Sequence, residues 1–251
     1  MNILVCIKRV PATAGKIELT PDAQEIDTRY LGFTISPHEE CAVEEAVRLT
    51  ERYGGSATVL ALGPAAAEEQ LRDALAMGCD RAILLETDGR EWDPAATADA
   101  IVAAVRASGA SFDLLLFGNE AADSGGYQVG IRVAYALGLP CVAGVKELAI
   151  EGERALARRE AASGWEEFEL DLPAVLTVKE GLNLPRYVPL LGRMKAKKRP
   201  IERSQPAWPG SQLEKVRLVV PPARSSQVEI LGRGPEAAPA AAELLRALKL
   251  I

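Results

Sequence analysis

A single segment, residues 112–140, restricts the possible folds of this chain more than any other. It begins with an apolar run at residues 114–117, short enough to form a strand that is buried on both faces of a sheet. A polar turn follows, and Val129, Val133 and Leu137 then recur at helical spacing. This order predicts one unit of a parallel sheet, with the loop and the helix N-terminus at its carboxyl edge.

The polar turn at residues 118–126 allows two interpretations. Orphan backbone N–H groups and the positive end of the helix dipole converge at such a turn, which suits a phosphate group. Alternatively, Gly118, Gly125 and Gly126 only provide positive φ in an ordinary strand-to-helix connection. Because the turn matches neither GxGxxG nor GxxxxGK(S/T), the segment alone leaves both interpretations open.

Three further strand–helix units precede this segment. Short apolar runs at residues 3–7, 57–62 and 81–85 each lead through a loop into a helical pattern. The first helix begins with S-P-H-E at residues 36–39, where a hydroxyl N-cap, a proline at N1 and a glutamate at N3 form a capping box. Four strands separated by helices predict an α/β fold with a doubly wound, mostly parallel, Rossmann-like sheet.

The pattern changes after Pro140. Three alternating runs separated by turns predict a small antiparallel excursion, at residues 145–150, 155–159 and 167–170. A further core strand is predicted at residues 174–178, before a loop at residues 181–200 that ends in a basic cluster. We therefore assign residues 1–204 to one α/β domain that includes this loop.

Residues 205–251 are predicted to form a linker and a C-terminal arm. The linker is marked by Q-P-A-W-P-G at residues 205–210. Beyond it, a strand is predicted at residues 216–220 and a final helix at about residues 235–250, with an apolar stripe on one side. The stripe consists of Leu244, Leu245 and Leu248. A terminal helix with little core of its own usually packs on something else, so we expect the arm to contact a partner chain.

The composition excludes several classes of protein. With 48% hydrophobic and 25% charged residues, the chain of 251 residues has ample material for a core. A net charge of −6 gives no overall field that attracts nucleic acid. No apolar run approaches the length of about 18 residues that indicates a membrane span, and the N-terminal stretch is too short and strand-like for a signal peptide. We therefore expect a cytoplasmic protein without a membrane span.

The cysteines and the histidine make metal and hydrolytic chemistry poor candidates. Four cysteines lie far apart in apolar segments without a CxxC pair, which is typical of small buried hydrophobic side chains. His38 is the only histidine, so a histidine-based triad or a multi-histidine metal site lacks its residues. His38 also stands at N2 of a predicted helix, where the dipole disfavours the imidazolium. We therefore assign no metal ligand and no catalytic residue.

Segments along the chain together resemble a known family. They are ILVCIKRV at residues 3–10, SPHEECAVEEAVRL at 36–49, LGPAAAEEQLRDALAMGCDRA at 62–82 and LPAVLTVKEGLNLPRYVPLLGRMKAKKRPI at 172–201. LNxPRY followed by MKAKK is the most specific part. These segments are similar to the β subunit of electron transfer flavoproteins, a family that includes the FixA-type proteins. The similarity spans nearly the whole chain and weakens after residue 205.

The resemblance implies an adenine-nucleotide-binding α/β domain within a heterodimer. An α subunit would hold the redox-active FAD, and the present chain would hold an AMP as a structural nucleotide. The pair would collect electrons from acyl-CoA dehydrogenases of fatty acid oxidation, or from other flavin dehydrogenases, and pass them to a membrane quinone reductase. The chain would then be an electron-carrier subunit and not an enzyme. In bifurcating members, which the sequence does not distinguish, a second FAD replaces the AMP.

The resemblance also assigns nucleotide contacts, all at strand ends or helix starts on one predicted edge. They are Cys6 in the first strand, Ser36, Pro37, His38 and Glu39 at the capped helix, Leu62 at the end of the second strand, and the loop residues Asp123, Ser124, Gly125, Gly126, Tyr127, Gln128, Val129 and Gly130. Cys6 would contact adenosine through its size. Gly125, Gly126 and Gly130 would let the backbone approach a phosphate closely.

A second set of positions matches the family's contacts with other proteins. Residues 184–198 resemble the recognition loop that docks the dehydrogenase, with Leu190 as the apolar anchor. Lys195 and Lys198 match flanking cations that steer an acidic partner surface. Glu160 matches a glutamate proposed to hold the mobile flavin domain away from its partner. A solvated basic loop without a docking role is the simpler alternative for residues 184–198.

Some positions depart from the family pattern. Many relatives have asparagine at the position of Ser36 and a small or apolar residue near Glu39. Residues 191–193, L-G-R, replace the usual Pro-Asn-hydrophobic run, which leaves the dehydrogenase partner open. Thr13 stands where some relatives have a tyrosine near the isoalloxazine ring, and a threonine cannot stack there.

The sequence therefore leaves three candidate functions for this chain. The first is a non-catalytic redox subunit that binds AMP, and the second is a bifurcating subunit whose site holds FAD. The third is a stand-alone nucleotide-binding regulator of the same architecture, which usually has a glycine-rich phosphate loop late in the chain. The sequence lacks that loop, and such a regulator would leave residues 181–200 and the arm unexplained.

Overall fold

A computed structural model describes residues 1–12, 17–222 and 229–251, so Thr13 lies outside the described residues. The strands are β1 (Asn2–Ile7), β2 (Val10–Pro11), β3 (Phe33–Thr34), β4 (Ser56–Gly63), β5 (Arg81–Glu86), β6 (Leu114–Gly118), β7 (Cys141–Glu151), β8 (Arg154–Ala161), β9 (Gly164–Asp171), β10 (Ala174–Val178) and β11 (Glu202–Ser204). The helices are α1 (Pro37–Tyr53), α2 (Glu68–Met77), α3 (Pro94–Ala107), α4 (Val129–Leu137), α5 (Leu190–Ala196) and α6 (Ala238–Ala247), with 3-10 turns at Ala65–Ala67 and Gly234–Ala237.

One large sheet organises the described part of the chain. Its strand order is β11-β5-β4-β1-β6-β10-β7-β8-β9. β1 pairs in parallel with β4 on one side and β6 on the other, which places Cys6 between Leu60 and Phe117. Parallel pairing continues through β5 to β11 and through β10 to β7. The predicted α/β fold with a mostly parallel sheet is confirmed.

Helices cover both faces of the parallel region because alternate residues of each strand point to opposite faces. Ile3 and Val5 belong to the apolar core beneath α1 and α2. Leu4 and Cys6 belong to a second core beneath α3 and α4. All four side chains are buried, so β1 has no polar face, as a continuous apolar run requires.

The predicted capping box at the start of α1 is confirmed. Ser36 Oγ accepts a hydrogen bond from Glu39 N at 3.2 Å, and Glu39 Oε2 accepts one from Ser36 N at 3.0 Å. Asp93 caps α3 in a similar way, with its Oδ1 accepting from Ala96 N at 2.8 Å. These caps satisfy N–H groups of the first helical turn and fix where both helices begin.

The predicted antiparallel excursion is also confirmed. β7 begins in parallel with β10 and continues antiparallel to β8, and β9 then adds to β8 at the edge of the sheet. Salt bridges cross the outer strands, such as Arg159 to Glu166 at 2.5 Å and Arg158 to Glu167 at 2.9 Å. Charged side chains on an edge strand are typical of sheets that avoid pairing with other chains.

The second half of the chain contains the differences from the sequence prediction. The strand predicted at residues 216–220 is wrong, because this described segment is assigned no strand and Val216 is 80% exposed. β11 is not predicted, since E-R-S has no apolar alternation. The loop predicted at residues 181–200 contains the short helix α5. α6 is shorter than predicted and follows a 3-10 turn.

Membrane-spanning helices and metal-binding clusters are both absent from residues 1–12, 17–222 and 229–251. Within these ranges, no helix has both the length and the apolar character needed to cross a membrane. Among the same residues, no group of three or more histidine, cysteine, aspartate or glutamate side chains is placed to hold a metal ion.

Candidate nucleotide site and partner surfaces

The predicted site lies where the strand order reverses. The chain runs outward from β1 to β4 and β5, and then crosses to β6 on the other side of β1. The carboxyl ends of β1 and β6 therefore leave a crevice between them, which is where open α/β sheets bind ligands. The structure brings Cys6, the start of α1 and the loop after β6 to this edge, with Leu62 near the end of the adjacent β4.

A hydrogen-bond network joins the start of α1 to the ends of β1 and β6. Ser36 Oγ donates to Glu120 O at 3.1 Å. Glu39 Oε1 accepts from Lys8 N at 2.9 Å, and Lys8 Nζ forms a salt bridge with Asp123 at 2.7 Å. Ser36 and Glu39 are only 1% and 5% exposed. The side chains of Ser36 and Glu39 thus support the crevice, and their contacts with a nucleotide stay predictions.

Burial decides the protonation of Glu39. Loss of solvent disfavours the carboxylate and raises the pKa of Glu39 to about 8, although the N–H groups of Ser36 and Lys8 favour the charged form. The end of β6 packs directly against the Glu39 side chain at Gly118, because a Cβ at Gly118 would lie 2.6 Å from Glu39 Cγ. The glutamate therefore has no room to move toward water on this side.

We expect stability to decrease as pH rises from about 5 to about 8. Because the folded-state pKa of Glu39 lies above its unfolded value, its contribution is present below the unfolded pKa and is lost as pH rises through the folded pKa. Glu39→Gln should flatten this slope. In Glu39→Gln, the side-chain NH2 group would face the N–H of either Ser36 or Lys8, and this contact of two donors would lower the stability by about 1–3 kcal/mol.

The melting temperature of the purified protein across this pH range tests the expectation. Glu236→Gln, at an exposed position, is the matched control and should keep the wild-type slope. An equal slope in Glu39→Gln and wild type would assign the pH dependence to other groups.

The loop after β6 leads into a helix without a side-chain cap. Among the described residues, no side chain accepts a hydrogen bond from the first turn of α4, in contrast to α1 and α3. The side chain of Gln128, the N-cap residue, does not cap the helix, and its Oε1 instead accepts from Arg132 Nη2 at 3.0 Å. Gly125 and Tyr127 both have left-handed backbone conformations, with φ of 55° and 54°. The exposed loop therefore presents backbone N–H groups at the positive end of a helix dipole, an arrangement that suits anions.

Gly130 has a packing role that the sequence did not predict. A Cβ at Gly130 would lie 2.8 Å from Thr177 Cγ2 and 3.1 Å from Phe117 Cγ. Thr177 is held in place, because its Oγ1 donates to Asn119 Oδ1 at 2.8 Å and accepts from Gly144 N at 3.0 Å. The buried Gly130 thus sets the distance between α4 and the sheet, whereas the sequence assigned it to the approach of a phosphate.

The remaining predicted residues differ in how far they reach the crevice. Pro37 is exposed, and His38 and Leu62 are partly exposed. His38 Nδ1 is buried without a hydrogen-bond partner in the described part of the chain, and Nε2 lies 3.7 Å from Glu120 Oε1. A buried orphan nitrogen is a group that a ligand or an ordered water satisfies. Burial raises the pKa of the Cys6 thiol, so this residue contacts its surroundings as a small neutral side chain.

Sequence reasoning missed three residues that shape the crevice. Lys8 follows a buried strand directly, and a cation at a carboxyl edge was the available signal. Asn119 and Glu120 offered no such signal, because their partners Thr177 and Ser36 are distant in the sequence. These contacts form only when the sheet has assembled.

The residues predicted to contact partner proteins lie at the surface. Leu190 begins α5 and is 74% exposed, and Lys195 and Lys198 are exposed beside it. Glu160 lies on β8 and forms a salt bridge with Lys146 at 3.0 Å. These positions are accessible, and their contact roles stay predictions.

The C-terminal arm is fastened at its beginning and exposed at its end. Asp93 Oδ2 accepts from Gln212 N at 2.6 Å, so the linker is tied to the start of α3. By contrast, no residue of α6 is buried against the described chain, and Leu244 and Leu248 are 43% and 58% exposed. An apolar helix face in solvent is typical of a segment that packs on another chain.

The fold and the crevice place the chain in the class of doubly wound α/β proteins. In this class, ligands bind at the carboxyl ends of the strands, where the strand order reverses. Comparison with known proteins is more specific, since residues 25–207 match the family model described as "Electron transfer flavoprotein domain". The electron transfer flavoprotein subunit beta of Bacillus subtilis is 35% identical over 98% of each chain. Those of Syntrophomonas wolfei and Homo sapiens are both 36% identical, over 92% of this chain and 90% and 92% of their own. The chain therefore belongs to the electron transfer flavoprotein β-subunit family.

Membership confirms the resemblance found in the sequence. It identifies an electron-transport protein of the flavoprotein type, and it implies both an association with flavin and a heterodimer with an α subunit.

Proposed function

We propose that this chain is a structural β subunit that binds AMP in the crevice between β1 and β6 and docks flavin dehydrogenases through residues 184–198. FAD held by the α subunit supplies the electron chemistry, and this chain shields it. The chain is an electron-carrier subunit and not an enzyme. Its donors are acyl-CoA dehydrogenases of fatty acid oxidation or other flavin dehydrogenases, its acceptor is a membrane quinone reductase, and it works in the cytoplasm.

The uncapped start of α4 is the observation that carries the AMP proposal. Its free N–H groups can donate to a phosphate. Because Gly125 has no Cβ, a phosphate can come close to the backbone of the exposed loop. Lys8, at the end of β1, ties the loop to the crevice through its salt bridge with Asp123 at 2.7 Å. The orphan His38 Nδ1 offers a polar partner for ribose or adenine. A site with N–H donors for a phosphate and a polar partner for a nucleoside fits a nucleoside monophosphate.

We also propose a division of labour along the chain. Residues 1–204 form the nucleotide-binding domain and carry the docking surface. Residues 205–251 form an arm that packs on the α subunit, which is supported by the fastened linker and the exposed apolar side of α6. Glu160 is proposed to restrain the flavin domain of the α subunit, and its exposed position on β8 leaves it accessible for that contact.

Quantifying the bound nucleotides tests the proposal. The chain is co-expressed with its α subunit, the heterodimer is purified, and its small molecules are released by heat. We expect equimolar FAD and AMP. Twice as much FAD and no AMP would replace the proposal by its alternative, a bifurcating β subunit with a second FAD in the crevice. FAD without any second nucleotide would contradict nucleotide binding by this chain.

A further inference from the structure

The proposed docking segment has an unusual combination of exposed side chains and a fixed backbone. Leu184 and Tyr187 are each 90% exposed, and Leu190 and Leu191 are 74% and 71% exposed. Apolar side chains so close together in solvent are a feature of protein interaction sites. The contacts beneath them explain why they do not collapse onto the protein.

Arg186 lies among these residues and points toward α1. Its Nε and Nη2 donate to the two carboxylate oxygens of Glu44 at 2.9 and 3.1 Å, and its backbone N donates to Glu44 Oε2 at 3.1 Å. Its Nη1 and Nη2 also donate to the two oxygens of Glu51 at 2.6 and 2.9 Å. One planar guanidinium therefore binds two carboxylates, each through two bonds.

The pair of Arg186 and Glu44 holds the backbone around Arg186 in place because Glu44 is buried, at 4% exposed. A buried carboxylate that loses its cation is strongly unfavourable, so the segment cannot leave α1 without a large cost. The hydrogen bonds that Arg186 donates to Glu51 and Glu44 raise the pKa of Arg186, and the bond to Glu51 lowers the pKa of that carboxyl. Arg186 and Glu51 consequently both stay charged at neutral pH, which maintains their side of the clamp.

Further bonds fix the two ends of the segment. At its start, Asn183 Nδ2 donates to Cys41 O at 3.0 Å and to Glu45 Oε2 at 2.9 Å, both on α1. At its end, Arg72 of α2 donates from Nη1 to Ala196 O at 2.8 Å. The apolar side chains stand on the stretch between these anchors.

We infer that Arg186 is a positioning residue for docking: by clamping its segment to Glu44 and Glu51, it holds Leu184, Tyr187 and Leu190 in the orientation that a dehydrogenase binds. This inference rests on the proposed docking function. A segment that is ordered before binding loses less entropy in the complex, so its affinity is higher. Lysine at this position keeps the charge but lacks the planar fork that binds both carboxylates.

Steady-state kinetics of the holo heterodimer test the inference. Wild type and Arg186→Lys are reduced by an acyl-CoA dehydrogenase with its acyl-CoA substrate, at increasing concentrations of the flavoprotein. We expect the apparent KM for the flavoprotein to rise about tenfold in Arg186→Lys, and kcat at saturation to stay within about twofold. The flavin spectrum and the AMP content should not change, and amide hydrogen exchange at residues 184–191 should become faster.

Two further variants separate positioning from general stability. Glu51→Gln removes only the outer carboxylate, whose side chain is 58% exposed, and should raise KM less than Arg186→Lys. Arg154→Lys is the matched control, because Arg154 also pairs with two carboxylates, Glu169 and Asp171, at the distant start of β8. Arg154→Lys should leave KM unchanged. An unchanged KM in Arg186→Lys, or an equal rise in Arg154→Lys, would overturn the inference.

Leu190→Ala distinguishes failure of this inference from failure of the proposed function. A raised KM in Leu190→Ala with an unchanged KM in Arg186→Lys would keep the docking surface and refute the positioning role. If Leu190→Ala is also unchanged, or if the wild type is not reduced, the docking proposal fails and the positioning role fails with it.

Discussion

Gly130→Val is expected to lower the free energy of unfolding by about 2–3 kcal/mol and to release most of the bound AMP. A Cβ at this position would already lie 2.8 Å from Thr177 Cγ2 and 3.1 Å from Phe117 Cγ. Thr177 cannot rotate away without breaking its hydrogen bonds to Asn119 and Gly144. The start of α4 must therefore move outward, which displaces the N–H groups proposed to bind the phosphate.

Denaturant unfolding of the heterodimer and the AMP released by heat measure the two effects of Gly130→Val. Gly32→Ala is the control outside the proposed site, because a Cβ at Gly32 would meet no atom within 4 Å. The control should stay within about 0.5 kcal/mol of wild type and keep its AMP. A Gly130→Val protein with normal stability and normal AMP content would show that the spacing of α4 from the sheet is not critical.

The fold could be predicted from the sequence where its determinants are local. The apolar run of β1 contains no polar position between Ile3 and Ile7, and such a strand must be covered by helices on both faces. The start of α1 was equally clear, since Ser36 and Glu39 form their capping box within one turn. Local signals of this kind placed the four strand–helix units and the edge on which the site lies.

The support of the site could not be predicted, because it depends on contacts between distant segments. Ser36 and Glu39 were assigned to the nucleotide from the family pattern, yet their side chains are committed to each other, to Lys8 and to Glu120. The role of Gly130 depends on Thr177, which belongs to a strand far along the chain. Only the register of β6 against β10 brings these groups together.

The wrong strand at residues 216–220 shows the limit of strand propensity. The sequence V-R-L-V-V favours an extended conformation, but a strand also needs a neighbouring strand. This segment contacts the chain near Ala23, where Leu218 N donates to Ala23 O at 2.8 Å, but it pairs with no strand. β11 is the opposite case, since Glu202 and Arg203 are poor strand formers that pair because β5 offers a free edge. Tertiary context decided both outcomes.

Removal of residues 235–251 is expected to abolish the heterodimer while the rest of the chain keeps its fold. No residue of α6 is buried against the described part of the chain, so the deletion removes no core contact there. If the α subunit buries the stripe of Leu244, Leu245 and Leu248, each leucine contributes about 1.5–3 kcal/mol. Losing all three would weaken association roughly a thousandfold or more, since about 1.4 kcal/mol corresponds to a tenfold change in Kd.

Size-exclusion chromatography of the co-expressed subunits measures this loss, and circular dichroism of the truncated chain checks its fold. The double variant Leu244→Glu/Leu248→Glu should reproduce the deletion, because it keeps the helix but places charges on the stripe. Glu243→Gln/Arg246→Gln, on the opposite side of α6, should leave the heterodimer intact. If the truncated chain still elutes with its α subunit, the arm is not the principal contact, and the exposed leucines must serve another surface.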